Sequence, residues 1–532
     1  MDKSYYPNFL VLGFNQLFFE NIHNYNLGGI ALIHLLKISF SMLWLFIAIN
    51  GCVYLKPFQQ IQSSVEKLKI ELDQIFNEPA FSNAYWGVVI QSLKNGEYLY
   101  CRNAHKNFIP ASNMKLFTTA AALVKLGPEY RYCTKFYTNG SIDENGVLQG
   151  DLIISGSGDP TITGRYYNGE ITKPLDFWAD SLKARNITSI AGNIIGDDNY
   201  FEEEIMGEGW AWDYQSDWYA AQISALSFND NCINIYIVAG DTVGYPAKYQ
   251  LVPETDYAQI VNKVSTVRNG LEKEIMFKRK RGTNLVEIEG AIAIDSPPRR
   301  DWFSVENPTL FIITVFKQAL ENKGIQVSGI PQDIDDLEQY TYQNNHANLI
   351  FRYFSPPLWE IVEITNKVSQ NLYTELLLRT IGAYFRDVGD AQHGIEVVKE
   401  FLQDIGIDTD QFLMYDGSGL SRLNMITPTH VVKLLRFMRK HAYGDYFYKS
   451  LPIAGVDGTL KNRMQQTAAQ ENVRAKTGYV GHVRALSGYV TTVDNEELAF
   501  SIIANNYSVP TSMANLIQDL VCERLANFSR FK

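Results

Sequence analysis

The chain has 532 residues, which exceeds the length at which a single hydrophobic core keeps growing, so two or more domains are expected. Hydrophobic residues make up 46% and charged residues 20% of the sequence, a balance typical of globular rather than disordered proteins. The formal net charge of -11 argues against a nucleic-acid-binding surface, because nucleic acid requires a basic face.

An apolar segment near the N-terminus predicts that the chain is exported to the cell envelope. The 18 residues 38–55 carry no charge, and that length sits at the threshold for a membrane span. Within them, Ile-Asn-Gly-Cys at residues 49–52 resembles a lipoprotein processing box, in which the cysteine is acylated. Lipidation of Cys52, an uncleaved anchor and ordinary signal cleavage remain alternatives. We assign residues 1–56 to a signal or anchor segment.

Three elements are predicted next along the chain. Apolar residues at helical spacing predict a helix over residues 59–78. Two apolar runs around an Asn-Gly turn predict a β-hairpin over residues 84–100. Small and apolar residues at 116–126 predict a helix whose first turn carries Ser112 and Lys115 after a Pro-Ala entry.

The pattern changes at about residue 130. From there to residue 346, short β-like runs and many turns dominate, with one helical run at residues 174–184. We interpret residues 130–346 as a separate β-rich insertion. Helical patterns then return at residues 357–385, 394–405 and 428–440, followed by strand patterns at 483–492 and 498–505 and a last helix at 511–526.

Ser112 and Lys115 are a candidate nucleophile and its base. Residues i and i+3 share one face of a helix, so Lys115 can reach the Ser112 hydroxyl. A lysine acts as a base only when its pKa falls, and burial near a second ammonium such as Lys476 would lower it. The same spacing at Ser64 and Lys67 is interpreted as a solvated helix face.

Two further motifs follow in order. Ser369 and Asn371 lie at the junction of two helical runs, where a loop can turn a hydroxyl and an amide into a cleft. Lys476, Thr477 and Gly478 precede an apolar strand pattern, and a cation, a hydroxyl and a position without a side chain suit a substrate with a free carboxylate. Either motif alone is more simply a helix cap or a strand end. The order of all three favours an active site.

Other kinds of site find little support in the sequence. No G-x-S-x-G elbow is present, and the Gly-rich residues 155–158 lack a Walker lysine. The five cysteines and eight histidines show no metal-ligand spacing, so neither a metal nor an organic cofactor is predicted. A disulfide between Cys101 and Cys133 is chemically possible outside the cytoplasm, and free buried thiols are the simpler interpretation.

The three motifs, their order and the 257-position gap between Ser112 and Ser369 (369 minus 112) resemble the class C low-molecular-mass penicillin-binding proteins. These form a peptidase family of D-alanyl-D-alanine carboxypeptidases and endopeptidases. Further stretches that resemble the family lie at residues 156–161, 209–213, 416–421, 451–455 and 474–478. The resemblance covers about residues 60–530.

The resemblance implies an α/β fold, in which a transpeptidase- and β-lactamase-like domain has an antiparallel sheet between helices. A large β-rich insertion of two small subdomains interrupts that domain. The expected organisation is therefore a first domain part at residues 57–129, the insertion at 130–346 and a second domain part at 347–532.

The resemblance also implies site residues. The expected roles divide between bond making and substrate binding: Ser112 as nucleophile, Lys115 as base, Ser369 and Lys476 as proton relay, Asn371 as ligand of a substrate amide, and Thr477 as ligand of a carboxylate. The backbone N–H groups of Ser112 and Tyr479 would form the oxyanion hole, with Gly478 between the motif threonine and Tyr479. Asp213 is the candidate for the diaminopimelate side chain, and Gln370 replaces the commoner Asp or Asn.

The function implied is that of a serine-type, penicillin-binding D-Ala-D-Ala carboxypeptidase with DD-endopeptidase activity. Its expected partners are peptidoglycan stem peptides ending in D-Ala-D-Ala, β-lactam antibiotics and the membrane, the last through the N-terminal segment. Its expected location is the periplasm or cell envelope, and no nucleic-acid partner is expected.

Two alternatives remain at this point. A β-lactamase or esterase could use the same scaffold, but Leu420 occupies the position at which an E-x-x-L-N pattern would need a glutamate before Leu423 and Asn424. Slow release of penicillin is therefore expected. A catalytically silent envelope protein could instead bind peptidoglycan through the insertion, although it would have no chemical reason to keep the motif side chains. The balance of carboxypeptidase against endopeptidase and the oligomeric state are not predicted.

Overall fold

The computed structural model describes residues 63–338, 340, 342 and 348–531. The predicted signal or anchor segment, with Cys52, lies outside the described residues. Ser64–Lys532 form one compact unit. Among the helices that the structure describes, none is both long enough and apolar enough to span a membrane.

The described chain contains ten α-helices and twenty β-strands. The helices are α1 (Ser64–Phe76), α2 (Met114–Leu126), α3 (Lys173–Lys183), α4 (Pro308–Asn322), α5 (Leu358–Lys367), α6 (Asn371–Arg386), α7 (Ala391–Asp404), α8 (Pro428–Met438), α9 (Gly444–Ser450) and α10 (Thr511–Ala526). The strands are β1 (Tyr85–Ser92), β2 (Tyr98–Arg102), β3 (Cys133–Thr138), β4 (Ser141–Ile142), β5 (Val147–Gln149), β6 (Leu152–Ser155), β7 (Ser189–Ile190), β8 (Ile194–Asp197), β9 (Cys232–Val238), β10 (Lys248–Val252), β11 (Gln259–Val267), β12 (Lys273–Arg279), β13 (Leu285–Ala293), β14 (Arg299–Ser304), β15 (Gln326–Val327), β16 (Pro331–Asp333), β17 (Asn348–Phe354), β18 (Arg474–Val480), β19 (Val483–Thr491) and β20 (Glu497–Asn505).

One sheet joins strands from both ends of the described chain. Its order is β18-β19-β20-β1-β2, and every neighbouring pair is antiparallel. Side chains alternate between the faces of a strand, so Val89 packs towards α2, α5 and α8 whereas Val88 packs towards α1 and α10. An antiparallel sheet between two helical layers is the predicted arrangement, and the predicted fold class is confirmed.

The stretch between β2 and β18 contains the remaining sheets. Their orders are β10-β9-β14, β11-β13-β12, β15-β7-β5-β4 and β16-β8-β6-β3-β17. Strand β17 lies past the predicted boundary at residue 346, yet it pairs with β3 along Phe354↔Cys133. The sheets of the insertion therefore extend beyond that boundary, and the division into domains stays a prediction.

The prediction of a single helical run in the insertion is wrong. Helix α4 adds a second one, although the β-branched and aromatic residues at 311–316 favour a strand by propensity. Two local signals begin this helix: Pro308 occupies its first turn, and Asn307 Oδ1 accepts a hydrogen bond from Leu310 N at 2.7 Å. Burial of most of its surface then outweighs the strand propensity.

Candidate active site

Ser112 lies on a 3-10 turn, Ala111–Asn113, that leads directly into α2. The sequence predicted Ser112 in the first turn of that helix, and the structure places it in the turn just before. Asn113 is fully buried and ties this turn to the sheet, because its Nδ2 donates to Lys476 O at 2.9 Å and its Oδ1 accepts from Ser487 Oγ at 2.6 Å. The Ser112 turn is thereby fixed against β18 and β19.

Lys115 reaches Ser112 as the helical spacing predicted. Its Nζ lies 3.1 Å from Ser112 Oγ, 2.6 Å from Asn371 Oδ1 and 2.7 Å from Ser418 O. A neutral amine has two N–H groups and one lone pair. Asn371 and the Ser418 carbonyl can accept both N–H groups, which leaves the lone pair directed at the Ser112 hydroxyl.

Burial lowers the pKa of Lys115 to about 7, and the carboxylates of Asp416 and Glu375 oppose that shift. The sequence analysis expected burial near a second ammonium, Lys476, to lower this pKa. Burial is the largest cause, and the charges that act on Lys115 are those of the two carboxylates. At neutral pH a substantial fraction of Lys115 is then the free amine.

Two buried carboxylates shape the loop between α7 and α8 that supplies the Ser418 carbonyl. Glu375 Oε1 accepts from Ser418 N at 2.8 Å, and its Oε2 accepts from Gly417 N at 3.2 Å. Asp416 accepts from Gly419 N at 2.8 Å through Oδ1 and from Trp210 Nε1 at 2.8 Å through Oδ2. Sequence reasoning assigned no role to either carboxylate. The available signal for Glu375 is a charge on the apolar face of a helical pattern.

Ser369 occupies the short break between α5 and α6 that the sequence predicted. Its φ of 61° lies in the left-handed region, which a residue other than glycine adopts at a cost in free energy. Lys476 Nζ donates to its Oγ at 2.7 Å. The Ser369 loop therefore faces Lys476, and the neighbouring residues must hold Ser369 in this backbone conformation.

Gln370 is the residue that holds the break on the side of the insertion. It is fully buried, its Oε1 accepts from Leu372 N at 3.2 Å, and its Nε2 donates to Asp230 Oδ2 at 3.0 Å. The same Asp230 oxygen accepts from Arg165 Nε at 2.9 Å. A chain of hydrogen bonds from Arg165 through Asp230 to Gln370 thus connects the insertion to the Ser369 loop. Sequence reasoning missed this connection.

Asn371 begins α6 and spans the gap between Lys115 and the insertion. Its Oδ1 accepts from Lys115, and its Nδ2 donates to Tyr219 O at 2.7 Å. An amide has two N–H donors, so one remains for a substrate carbonyl. The predicted role of Asn371 as a substrate ligand stays a prediction that this geometry permits.

Lys476 and Thr477 lie on β18 and are buried. Lys476 Nζ also donates to Thr477 O at 3.0 Å, and Thr477 Oγ1 donates to Thr459 Oγ1 at 2.7 Å. Burial, the Lys115 ammonium and Arg484 all lower the pKa of Lys476 well below its usual value. Thr459, which sequence reasoning missed, places a second hydroxyl beside the motif threonine.

Gly478 lets β18 come into close contact with the turn that carries Ser112. A Cβ at this position would lie 2.8 Å from Pro110 O and 3.1 Å from Ser112 N, so a side chain there would push the two backbones apart. Tyr479 follows on the same strand, and its side chain is 55% exposed. Its expected role depends on its backbone N–H alone.

The predicted diaminopimelate ligand, Asp213, remains exposed on the 3-10 turn Trp212–Ser216. The preceding Trp210 bonds Asp416, and Tyr214 packs against Tyr219 with ring centroids 5.4 Å apart. This segment of the insertion therefore covers the active site, although Asp213 is not drawn into the lysine and serine cluster. Its predicted role stays untested.

The described cysteines, Cys101, Cys133, Cys232 and Cys522, are unpaired. The possible disulfide between Cys101 and Cys133 is thus not formed. His430 is buried at the start of α8, where its backbone N–H donates to Thr427 Oγ1 at 3.1 Å.

Comparison with known proteins gives consistent matches over most of the chain. The model of the D-Ala-D-Ala carboxypeptidase 3 (S13) family matches residues 68–527. A D-alanyl-D-alanine carboxypeptidase of an Actinomadura species is 34% identical over 479 residues, which cover 87% of this chain and 85% of that protein. The D-alanyl-D-alanine carboxypeptidase DacB of Haemophilus influenzae is 26% identical over 446 residues, which cover 81% of this chain and 88% of that protein.

Solved structures show the same fold. The crystal structure of penicillin binding protein 4 from Haemophilus influenzae matches with a TM-score of 0.75 at 24% identity, covering 86% of this chain and 99% of that one. The structure of the same Haemophilus protein complexed with a β-lactam matches with a TM-score of 0.69 at 25% identity, covering 85% of this chain and 98% of that one.

Proposed function

The chain belongs to the D-Ala-D-Ala carboxypeptidase 3 (S13) family, and we propose that it hydrolyses the terminal bond of peptidoglycan stem peptides through an acyl-enzyme at Ser112. The observation that carries this mechanism is the buried Lys115 amine, 3.1 Å from Ser112 Oγ and with both N–H groups accepted elsewhere. A serine hydroxyl is a weak nucleophile until a base takes its proton, and this amine is the group in position to do so.

The first step forms the acyl-enzyme. Lys115 takes the Ser112 proton while Oγ attacks the carbonyl carbon of the penultimate D-alanine. The negative charge that develops on the carbonyl oxygen faces the backbone N–H groups of Ser112 and Tyr479, where Gly478 keeps the strand close to the nucleophile turn. The two donors are fixed by the backbone and need no rearrangement as the charge develops.

The leaving D-alanine needs a proton on its nitrogen and a partner for its carboxylate. Ser369, bonded to Lys476 at 2.7 Å, is placed to deliver the proton. Thr477 and Thr459 present neighbouring hydroxyls, and Lys476 Nζ donates to Ser369 Oγ and to the Thr477 carbonyl. A carboxylate bound there would place an anion beside the Lys476 ammonium.

Water then attacks the acyl-enzyme, with Lys115 as the base, and releases the shortened peptide as a carboxylic acid. A cross-linked peptide differs only in the amine that leaves, so the same steps give DD-endopeptidase activity. The expected site of action is the periplasm or cell envelope, with the N-terminal segment as anchor. The enzyme is also expected to bind β-lactams, as the Haemophilus protein does in its complex.

Deacylation of a penicillin adduct should be slow. Leu420, 7% exposed and packed against Ala111, occupies the position at which a second activating carboxylate would be needed. Glu375 cannot take over, because both of its oxygens accept backbone N–H groups. A β-lactam should therefore remain bound long enough to be detected.

Intact mass spectrometry after incubation with benzylpenicillin tests the mechanism. We expect one covalent adduct, which Ser112→Ala abolishes. The matched control is Ser64→Ala, because Ser64 begins the same S-x-x-K spacing on α1 but donates its hydroxyl to Arg530 O at 2.8 Å. An adduct that survives Ser112→Ala, or no adduct at all, would overturn the assignment and favour a catalytically silent binding protein.

A further inference from the structure

A pocket of about 310 Å³ lies in the insertion beside the residues that anchor the Ser369 loop. Its lining includes Asp230 and Arg165, which belong to the insertion and are hydrogen-bonded to each other. Asp230 also accepts the hydrogen bond from Gln370. The pocket wall is therefore hydrogen-bonded to Gln370, the residue that follows Ser369 in the chain. The steps proposed above do not use this pocket.

The pocket floor is one face of the strand pair β9 and β14. Arg300 and Trp302 are two residues apart on β14, so their side chains lie on the same face, and Trp302 pairs with Asn234 of β9. Trp218 closes one side, meeting Trp302 edge to face with ring centroids 6.1 Å apart. Trp302 is 36% exposed, so its ring is available to a ligand.

The polar groups of the pocket are incompletely paired. The three side-chain hydrogen bonds described for the Asp230 carboxylate all reach its Oδ2, two from Arg165 and one from Gln370. Its Oδ1 is buried and has no hydrogen-bond partner among the residues that the structure describes. Because Oδ1 is buried, the polar side chains of the pocket wall that remain for a ligand are those of Arg300 and Asn234.

These groups together favour a sugar over an anion. Indole rings bind the apolar C–H face of a pyranose, and a guanidinium and an amide can bond its hydroxyl, ring and acetamido oxygens. A phosphate or carboxylate would instead meet the acidic Asp230, which already neutralises Arg165.

We infer that this pocket binds a sugar residue of the peptidoglycan glycan strand while the attached stem peptide occupies the active site. The inference rests on the proposed function, because it takes peptidoglycan as the substrate. A five-residue stem spans roughly 17 Å when extended, and the pocket wall is bonded through Asp230 to the residue next to Ser369. The pocket would thus help to select glycan-linked peptides over free ones.

Comparison of two substrates tests this inference: a disaccharide pentapeptide and the same pentapeptide without sugar. Trp302→Ala and Arg300→Ala should each raise KM for the disaccharide pentapeptide about fivefold or more, while KM for the free pentapeptide and kcat for both stay unchanged. The control is Tyr249→Ala on β10, which removes a 43% exposed aromatic side chain from the other edge of the same sheet. Equal changes with both substrates, or none with either, would overturn the inference.

Direct binding of a sugar distinguishes failure of the proposed pocket from failure of the proposed function. N-acetylchitotriose, which carries no peptide, should change the tryptophan fluorescence of the unaltered protein and of Tyr249→Ala, but not that of Trp302→Ala. Sugar binding without peptide hydrolysis would support the pocket and refute the proposed activity. Peptide hydrolysis without saturable sugar binding would refute the pocket alone.

Discussion

The surroundings of Lys115 and those of Lys476 differ in charge, although both side chains are fully buried. Lys115 faces two carboxylates, Asp416 and Glu375, which counteract the effect of burial on its pKa. The groups that act on Lys476 all lower its pKa: burial, the Lys115 ammonium and Arg484. Among the described residues, carboxylates therefore act on the first lysine and none acts on the second.

This difference indicates how the two amines divide the work. With a pKa of about 7, Lys115 passes between charged and neutral forms near neutral pH, as a general base must. No described carboxylate raises the pKa of Lys476, so a substrate carboxylate beside Thr477 would supply a counter-charge. We therefore propose that Lys115 removes the proton and that Lys476 recognises the substrate carboxylate.

The largest expected effect follows from removing the base. Lys115→Met keeps the length of the side chain but removes the amine, and acylation by benzylpenicillin should fall roughly 10²- to 10⁴-fold. The rate of adduct formation by mass spectrometry measures this. Lys67→Met on α1 is the control, because it alters the second S-x-x-K pattern and should leave the rate unchanged. A larger loss from Lys476→Met would reverse the assignment of the two lysines.

A smaller and more selective effect is expected at Lys476. Lys476→Met should reduce kcat/KM for a peptide ending in D-Ala-D-Ala on the order of 10- to 100-fold, the value of a charge-assisted hydrogen bond. The same peptide with an amidated C-terminus lacks the carboxylate, so its already low kcat/KM should change much less. Steady-state kinetics on both peptides give the ratio. Equal losses would mean that Lys476 does not recognise the carboxylate.

The pH profile distinguishes the two surroundings further. Only neutral Lys115 can accept a proton, so the second-order acylation rate should fall about tenfold per pH unit below pH 7 and level off above it. Glu375→Gln removes an anion that raises the pKa of Lys115, so the midpoint of the profile should move to lower pH. Stopped-flow acylation between about pH 5 and 9 measures both midpoints. A shift to higher pH would contradict the electrostatic role of Glu375.

The sequence was most informative where the determinants are local. Helix α10 has the predicted bounds, and strands β19 and β20 differ from their predicted bounds by one residue at one end, because an alternating or helical apolar pattern specifies them directly. The three motifs were recognised for a similar reason, since each is a short run with a defined spacing. Helix α4 was missed because burial overrode the strand propensity of its residues.

The supporting contacts could not be predicted, because they join distant parts of the chain. Asn113 bonds a residue 363 positions away, and Gln370 bonds one 140 positions away. No periodicity reports such a pairing, and a single sequence carries no record of which side chains meet. The Asp416 turn was visible as a Gly-rich motif, but its connection to Lys115 depends on the folded positions of α2 and α6.

The smallest effect is expected from the hydrogen bond between Gln370 and Asp230, which connects the Ser369 loop to the insertion. Gln370→Ala removes the donor to Asp230 and loosens the loop that holds Ser369 at a φ of 61°, so acylation should slow roughly fivefold. Asp230→Asn keeps an acceptor oxygen and should slow it less. Both variants should keep the pH midpoint set by Lys115, since neither alters the charges that determine its pKa.

This last pair of variants separates positioning from chemistry. No hydrogen bond joins Gln370 to Ser112 or to either lysine among the described residues, so it acts through the placement of its neighbours Ser369 and Asn371. A slower rate with an unmoved midpoint is the signature of displaced geometry, whereas a moved midpoint would mean that the insertion also adjusts the charge of the Lys115 site. If Gln370→Ala acylates at the unaltered rate, α5 and α6 alone hold the loop. The difference between the surroundings of Lys115 and Lys476 would then depend only on the domain that carries the three motifs, and not on the insertion.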